Sequence, residues 1–116
     1  MPELKGKLNG FAVRVPTPDV SLVDLTCVVE KDVTKELINE TFKKASEESM
    51  KNLIFIDEEK LVSSDFIGSS YSSIFIPDCT NVVNNNQVKI VAWYDNEWGY
   101  STRLVDMTAF VGRSLI

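Results

Sequence analysis

The sequence predicts an α+β fold of several antiparallel strands with two helices, one of which covers a face of the sheet while the other ends the chain. Residues 21–29 alternate along the chain with a period near two and are rich in β-branched side chains, which is typical of a strand. Residues 32–48 and 98–114 instead repeat apolar side chains at helical spacing. Strands and helices mixed in this way are expected to form a layered α+β domain.

The composition is that of an ordinary globular domain and argues against several classes of function. The 116 residues are 44% hydrophobic and 25% charged, and a chain of this length buries a core without help from a disulfide or a metal. The net charge of −5 argues against binding to nucleic-acid phosphates. With no histidine and no CxxC spacing, a metal site is not expected. Neither a transmembrane run nor a signal peptide is recognisable, so we expect a cytoplasmic location and no contact with a membrane.

The first half of the chain predicts two strands and a helix. Residues 1–7 are polar and predict an extended lead-in, and residues 8–15 ("LNGFAVRV") mix apolar and polar side chains as a strand does. The short connection "PTPDV" predicts that this strand pairs antiparallel with residues 21–29. Thr34 is the predicted N-cap of the amphipathic helix over 32–48.

The second half predicts more strands and the terminal helix. Its segments are a buried strand at 52–57, a connection at 58–70, a strand at 71–76, a hairpin over 81–94 and a helix from about 98 to 114. Gly68 is a predicted turn residue, and Pro77 either ends its strand or places it at an edge. Asn84, Asn85 and Asn86 form the predicted hairpin tip, because asparagine tolerates positive φ. The last helix is apolar beyond one stripe, which indicates more than one packing partner.

The aromatic stretch "WYDNEWGY" at 93–100 is the first candidate site. On one interpretation its aromatic rings belong to the core and Asp95 or Asn96 caps the following helix. On the other, the strand-to-helix junction is a ligand site, because free backbone N–H groups and an amide side chain converge there. Asn96 offers both a donor and an acceptor to an amide-bearing ligand.

Arg14 and Cys79 are the other candidates. Arg14 lies in an apolar segment, where a charge needs an anionic partner: Asp19, Asp24 or a bound phosphate. Cys79 precedes Thr-Asn near a turn, but a nucleophilic thiol needs a neighbour that lowers its pKa, and the chain has no histidine. We therefore interpret Cys79 as a structural or exposed thiol.

Several long motifs resemble one family. "WYDNEWGYSTRLVDM", "PELKGKLNGFAVRVPTPDVSLVDLTCVVEK", "KKASEES" and "LVSSDFIGSSYSSIF" are similar, in order, to the C-terminal part of the catalytic domain of phosphorylating glyceraldehyde-3-phosphate dehydrogenases. The resemblance implies a glycolytic, homotetrameric oxidoreductase that oxidises and phosphorylates an aldehyde with NAD. It also implies a mixed, mostly antiparallel sheet with helices packed on one face, and a single partial domain over residues 1–116.

The resemblance also implies roles for three residues. The arginine of "RVPTP", Arg14, would bind the phosphate of the substrate or inorganic phosphate. The asparagine of "WYDNE", Asn96, would hydrogen-bond the nicotinamide carboxamide, and the tyrosine of "WGY", Tyr100, would pack near the nicotinamide. The aromatic stretch would then form one wall of a cofactor pocket.

The departures from the family pattern limit the activity and the cofactor binding that we expect of this chain alone. The Rossmann domain with its Gly-rich loop, the catalytic cysteine segment and the catalytic histidine are not among these residues, and Ser49 and Asn52 stand near expected glycines. We therefore predict no catalytic residue here, no activity of the isolated chain and no NAD bound by it alone. The expected partner is the NAD-binding half or a second copy joined through the last helix, where Leu104, Val105, Met107 and Phe110 would be exposed.

Overall fold

The computed structural model describes residues 2–115, and this part of the chain folds into one sheet with two helices. Short 3₁₀ turns lie at Pro2–Leu4, Ser63–Phe66 and Pro77–Cys79. The strands are β1 (Ser21–Val28), β2 (Ile54–Ile56), β3 (Ser73–Phe75), β4 (Asn81–Val83) and β5 (Gln87–Tyr94), and the helices are α1 (Lys35–Glu47) and α2 (Trp98–Ser114).

The sheet has the spatial order β1-β5-β3-β2, and β4 pairs with the first part of β5. β2 and β3 are parallel, whereas β5 is antiparallel to β1, β3 and β4. The predicted α+β class and the mixed, mostly antiparallel sheet are therefore confirmed.

Helix α1 covers one face of the sheet. Its predicted cap is confirmed, because the Thr34 hydroxyl oxygen accepts a 3.2 Å hydrogen bond from the N–H of Leu37. Phe42 stacks on Phe75 of β3 with ring centroids 4.2 Å apart and an interplanar angle of 11°. The Asn39 amide donates to the carbonyl of Pro77 and joins the helix to the 3₁₀ turn that follows β3.

The other face of the sheet carries a small buried cluster. Ile74 of β3 packs with Val20 and Phe66, and the partly buried rings of Tyr71 and Trp93 close around them. Phe66 reaches this cluster from the 3₁₀ turn in the predicted connection. The start of α2 lies on this same side of the sheet.

The predicted turns are confirmed, and the structure decides between the two alternatives for Pro77. Asn84 and Asn85 have φ values of 50° and 62°, and Gly68 has a φ of 82°. Strand β3 ends at Phe75, and Pro77 opens the next 3₁₀ turn. Because β3 lies between β5 and β2, Pro77 ends the strand and does not mark a sheet edge.

Two predictions for the N-terminal segment are wrong. Within residues 2–7 the chain forms a 3₁₀ turn instead of an extended lead-in, with Lys5 N–H donating to the Pro2 carbonyl. Residues 8–15 form no strand and do not pair with β1, whose partner is β5. In the connection, Pro16 has a fixed φ and the Thr17 N–H donates to the Val15 carbonyl at 2.8 Å, so the chain turns there without entering a ladder with β1.

Candidate functional site

The junction between β5 and α2 is held together by one buried carboxylate. Asp95 is 3% exposed, and its Oδ1 accepts from the N–H groups of Glu97 (2.9 Å) and Trp98 (2.7 Å). Its Oδ2 accepts from the N–H of Gly68 at 2.8 Å. Asp95 thus accepts from the N–H groups of Glu97 and Trp98 at the start of α2 and ties them to the turn at Gly68. The N-cap position itself is held by Glu97, which makes no side-chain cap bond, so the prediction of Asp95 or Asn96 as the N-cap residue is wrong, and Asp95 instead accepts from the first N–H groups of the helix.

The charge of Asp95 is stabilised by its donors. Burial by itself raises the pKa of the Asp95 carboxyl, but the N–H groups of Trp98, Gly68 and Glu97 outweigh burial and hold that pKa below its ordinary value. The carboxylate therefore carries a negative charge at neutral pH. A charged acceptor forms stronger hydrogen bonds than a neutral one, which stabilises this junction.

Asn96 follows immediately and is exposed at the surface. Its Oδ1 accepts a 2.8 Å hydrogen bond from the hydroxyl of Ser21, the first residue of β1. This bond orients the amide and leaves its Nδ2 with no partner among residues 2–115. An oriented amide with a free N–H pair suits recognition of a ligand carbonyl.

Ser21 is positioned by a strained residue. Val20 has a φ of 68°, a region that a β-branched residue seldom adopts. Its N–H donates to Asp19 Oδ1 at 2.7 Å, and its side chain is buried in the cluster with Phe66 and Ile74. Packing and the Asp19 bond together hold the strained backbone, which sets the direction from which Ser21 meets Asn96.

The other two candidate residues, Tyr100 and Arg14, lie on the surface and form no hydrogen bond with Asn96 or Ser21. Tyr100 is 69% exposed on the first turn of α2. Arg14 lies in the irregular exposed segment and forms no ion pair within the described part of the chain. The suggested pairing of Arg14 with Asp19 or Asp24 is wrong, because Asp24 pairs with Lys89 at 2.8 Å and Asp19 bonds Val20. The structure brings together Asn96 and the start of β1, but not Arg14.

Two residues that the sequence analysis missed fix α2 to the sheet. Gly99 is buried so close to the chain that an added Cβ would lie 2.9 Å from the Tyr71 carbonyl oxygen. Arg103 Nη1 donates to Ser72 Oγ at 3.2 Å and to the Asn52 and Ser70 carbonyls at 3.3 and 3.4 Å. Asn52 has a φ of 64°, which accounts for a glycine being expected near this position.

Beyond these contacts, α2 presents apolar side chains to solvent. Val105 is 68% exposed and Phe110 67%, and the remaining members are Leu104, Met107, Val111 and Leu115. The expected exposure of Leu104, Val105, Met107 and Phe110 is confirmed. We call these six side chains the α2 apolar surface.

The part of the chain over residues 2–115 carries neither a metal-binding cluster nor a membrane-spanning helix. This region holds no group of three or more histidine, cysteine, aspartate or glutamate side chains that suits a metal ion. Neither described helix is long and apolar enough to cross a bilayer. Cys27 and Cys79 are both free thiols, and Cys79 is exposed in the turn before β4.

Comparison with known proteins identifies the family. The family model described as "Glyceraldehyde 3-phosphate dehydrogenase, C-terminal domain" matches residues 1–96. The chain is similar to glyceraldehyde-3-phosphate dehydrogenases of Geobacillus stearothermophilus (51% identity over 111 residues, 96% of this chain and 33% of the relative) and Streptomyces coelicolor (48% over 116 residues, 99% and 34%). It is also similar to that of Chlamydia trachomatis serovar L2 (53% over 111 residues, 96% and 33%). The chain thus spans about a third of the length of the curated relatives it matches. With more than four-fifths of its residues matched by the family model, the chain belongs to the glyceraldehyde 3-phosphate dehydrogenase C-terminal domain family.

Proposed function

We propose that this chain is the C-terminal catalytic-domain segment of an NAD-dependent, cytoplasmic, homo-oligomeric enzyme that oxidises and phosphorylates glyceraldehyde 3-phosphate in glycolysis. Residues 1–116 form a single partial domain of that enzyme. The observation that carries the proposal is the Ser21–Asn96 hydrogen bond, which orients an amide with a free Nδ2 at the start of α2. The family match supports the same assignment.

Each proposed binding residue has a chemical task that its side chain fits. Asn96 Nδ2 donates to the carboxamide oxygen of the nicotinamide, and the exposed ring of Tyr100, one helical turn further on, packs beside it. Arg14 binds phosphate, which matches the planar, permanently charged guanidinium. When bound, NAD accepts a hydride; the residues of this chain only bind and orient.

The nucleophile and the base belong to another part of the enzyme. The chain has no histidine, and Cys79 is an exposed free thiol in the turn before β4. We therefore expect the isolated chain to show no turnover and to bind no NAD by itself. Its working partner is the NAD-binding half.

A chimaeric enzyme tests this function. Residues 1–116 replace the matching third of the Geobacillus stearothermophilus relative, and reduced NAD is followed with aldehyde and phosphate. Because one hydrogen bond contributes about 0.5–1.5 kcal/mol, we expect Asn96→Ala to raise the KM for NAD roughly 2–10-fold. Loss of a charged contact of about 1.5–3 kcal/mol predicts that Arg14→Ala raises the KM for phosphate roughly 10–100-fold.

Matched controls come from exposed positions of the same chain. Asn81→Ala on β4 and Arg113→Ala near the end of α2 remove the same chemical groups away from the site, and both KM values should stay unchanged. The proposal fails if the purified 116-residue chain turns over substrate alone, or if the controls shift both constants as much as the site variants do.

A second candidate function is an interaction module that self-associates through the α2 apolar surface. The exposure of its side chains favours this, because contiguous exposed apolar area usually marks a contact surface. We expect the double variant Val105→Ser with Phe110→Ser to sediment as a monomer at concentrations where the parent chain associates. Thr108→Ala, on the same helix, is the control and should associate as the parent does. A parent chain that is monomeric at every concentration contradicts this candidate.

A further inference from the structure

The Asn96 side chain can present either of two chemical faces to a ligand. An asparagine amide carries an acceptor oxygen and a donor NH2 group of nearly the same size, and a half-turn about its last bond exchanges them. Asn96 is exposed, so steric crowding does not decide between the two faces. The face that a ligand meets is therefore set by the hydrogen bonds that the amide makes within the chain.

The hydroxyl of Ser21 decides which face points outward. Ser21 Oγ donates to Asn96 Oδ1 at 2.8 Å, which directs the oxygen toward β1 and the NH2 group away from it. With the amide reversed, Nδ2 would donate to Ser21 Oγ, and the hydroxyl proton would have no acceptor in residues 2–115. The bond thus favours the orientation in which Nδ2 faces outward.

Ser21 is itself held in place by the sheet and by the residue before it. It pairs with Tyr94 at the end of the β1–β5 ladder, two residues before Asn96, so its hydroxyl lies where the sheet meets α2. The preceding residue, Val20, is buried with a φ of 68°, and its N–H donates to Asp19 Oδ1. A half-buried hydroxyl on so constrained a backbone loses little further freedom when it bonds Asn96.

An outward NH2 group recognises one kind of ligand atom, an acceptor oxygen. The carboxamide of a nicotinamide ring carries such an oxygen and also an NH2 group of its own, so it could bind either face of Asn96. A 3-acetyl group carries the same oxygen but no N–H, so it can bind only the donor face. The two pyridinium substituents therefore distinguish a fixed Asn96 amide from one that turns freely.

We propose that Ser21 is a positioning residue that sets the specificity of the nicotinamide subsite. It holds Asn96 as a donor, so that the site selects a carbonyl oxygen at position 3 of the pyridinium ring. The inference rests on the proposed function, because Asn96 must face the nicotinamide. It adds that the NH2 group of the carboxamide is not recognised by this residue, and that the selection acts through Asn96 without contact between Ser21 and the cofactor.

The order of the amide is measured first in the 116-residue chain without any ligand. We expect the side-chain NH2 group of Asn96 to show a high 15N heteronuclear NOE, because Ser21 holds its oxygen. In Ser21→Ala this NOE should fall to the value of Asn81, which is exposed like Asn96 but has no such bond in residues 2–115. Ser21→Thr keeps the hydroxyl and should keep the high NOE. A parent Asn96 amide as mobile as that of Asn81 overturns the proposal.

Cofactor selectivity is measured in the chimaeric enzyme by calorimetric titration, which requires no turnover. The quantity is the Kd for 3-acetylpyridine adenine dinucleotide divided by the Kd for NAD, so general changes in affinity cancel. In Ser21→Ala about half of the freed amides should present the wrong face to the acetyl group, so this ratio should rise about twofold. Ser21→Thr should keep the parent ratio. Ser114→Ala, the matched control, removes an exposed hydroxyl that donates to the Phe110 carbonyl near the end of α2, and the ratio should stay unchanged.

A variant of Asn96 separates failure of this inference from failure of the proposed function. Asn96→Asp keeps the shape and the acceptor for Ser21 but offers a ligand only acceptors, so the acetyl analogue loses its partner while the carboxamide NH2 group keeps one. Loss of one hydrogen bond predicts a ratio about 2–10-fold above that of the parent. If the ratio does not move in Asn96→Asp, Asn96 does not face the nicotinamide, and the proposed function fails at this residue together with this inference. If it rises in Asn96→Asp but not in Ser21→Ala, Asn96 binds the cofactor and only the role of Ser21 is overturned.

Discussion

We expect Asp95→Ala to lower the free energy of unfolding by about 3–5 kcal/mol, a large part of the stability of a domain this size. The substitution removes a buried carboxylate that accepts hydrogen bonds from Trp98, Gly68 and Glu97. These three N–H groups then lose a charged acceptor at the point where α2 meets the turn at Gly68. Urea unfolding, followed by circular dichroism, measures the change.

Two further variants separate the causes of this effect. Asp65 is exposed and accepts a single bond from Val62 N–H, so Asp65→Ala should cost only about 0.5–1 kcal/mol. Asp95→Asn keeps the shape but turns half of the acceptor into a donor facing N–H groups, so a loss close to that of alanine is expected. If Asp95→Ala costs no more than Asp65→Ala, the carboxylate does not hold the junction.

The pKa of Asp95 gives this interaction a pH dependence of defined sign. The folded-state pKa lies below the ordinary value of 3.8, so the folded protein binds this proton less readily than the unfolded chain. The stabilisation is complete above the ordinary pKa and is lost as pH falls through the folded-state value. The difference in stability between the parent chain and Asp95→Asn should therefore shrink only under strongly acidic conditions.

The elements that follow local rules were predictable from the sequence. Thr34 caps α1, the asparagines at 84 and 85 form the hairpin tip, and the aromatic stretch carries the start of α2. In each case the residues that decide the structure are neighbours in the chain. Residues 8–15 show where that reasoning stops, because alternation indicates that a segment can form a strand but not that a partner edge is within its reach.

The residues of the candidate site also fall into those that the sequence predicts and those that it does not. The polar residues of the aromatic stretch were identified because they lie where a strand meets a helix. Ser21 and Arg103 were missed, and Gly68 was predicted only as a turn residue, because each contacts a residue at least 27 positions away. Val20 gave no signal at all, since its positive φ opposes the preference of its own side chain and arises from burial.

Gly99→Ala and Gly112→Ala should change stability in opposite directions, although both add one methyl group to α2. At Gly99 the new Cβ would lie 2.9 Å from the backbone oxygen of Tyr71, so the helix or that loop must move. Overpacking costs typically about 1–3 kcal/mol, against a gain of about 0.5–1 kcal/mol in helix propensity, so we expect a net loss of about 1–2 kcal/mol. At Gly112 no atom lies within 4 Å of the new Cβ, and only the gain of about 0.5–1 kcal/mol remains. Urea unfolding of both variants and the parent measures the two changes. If both variants gain the same free energy of unfolding, α2 is not fixed to the Tyr71 loop. The start of the helix, which carries Tyr100, then has no rigid support.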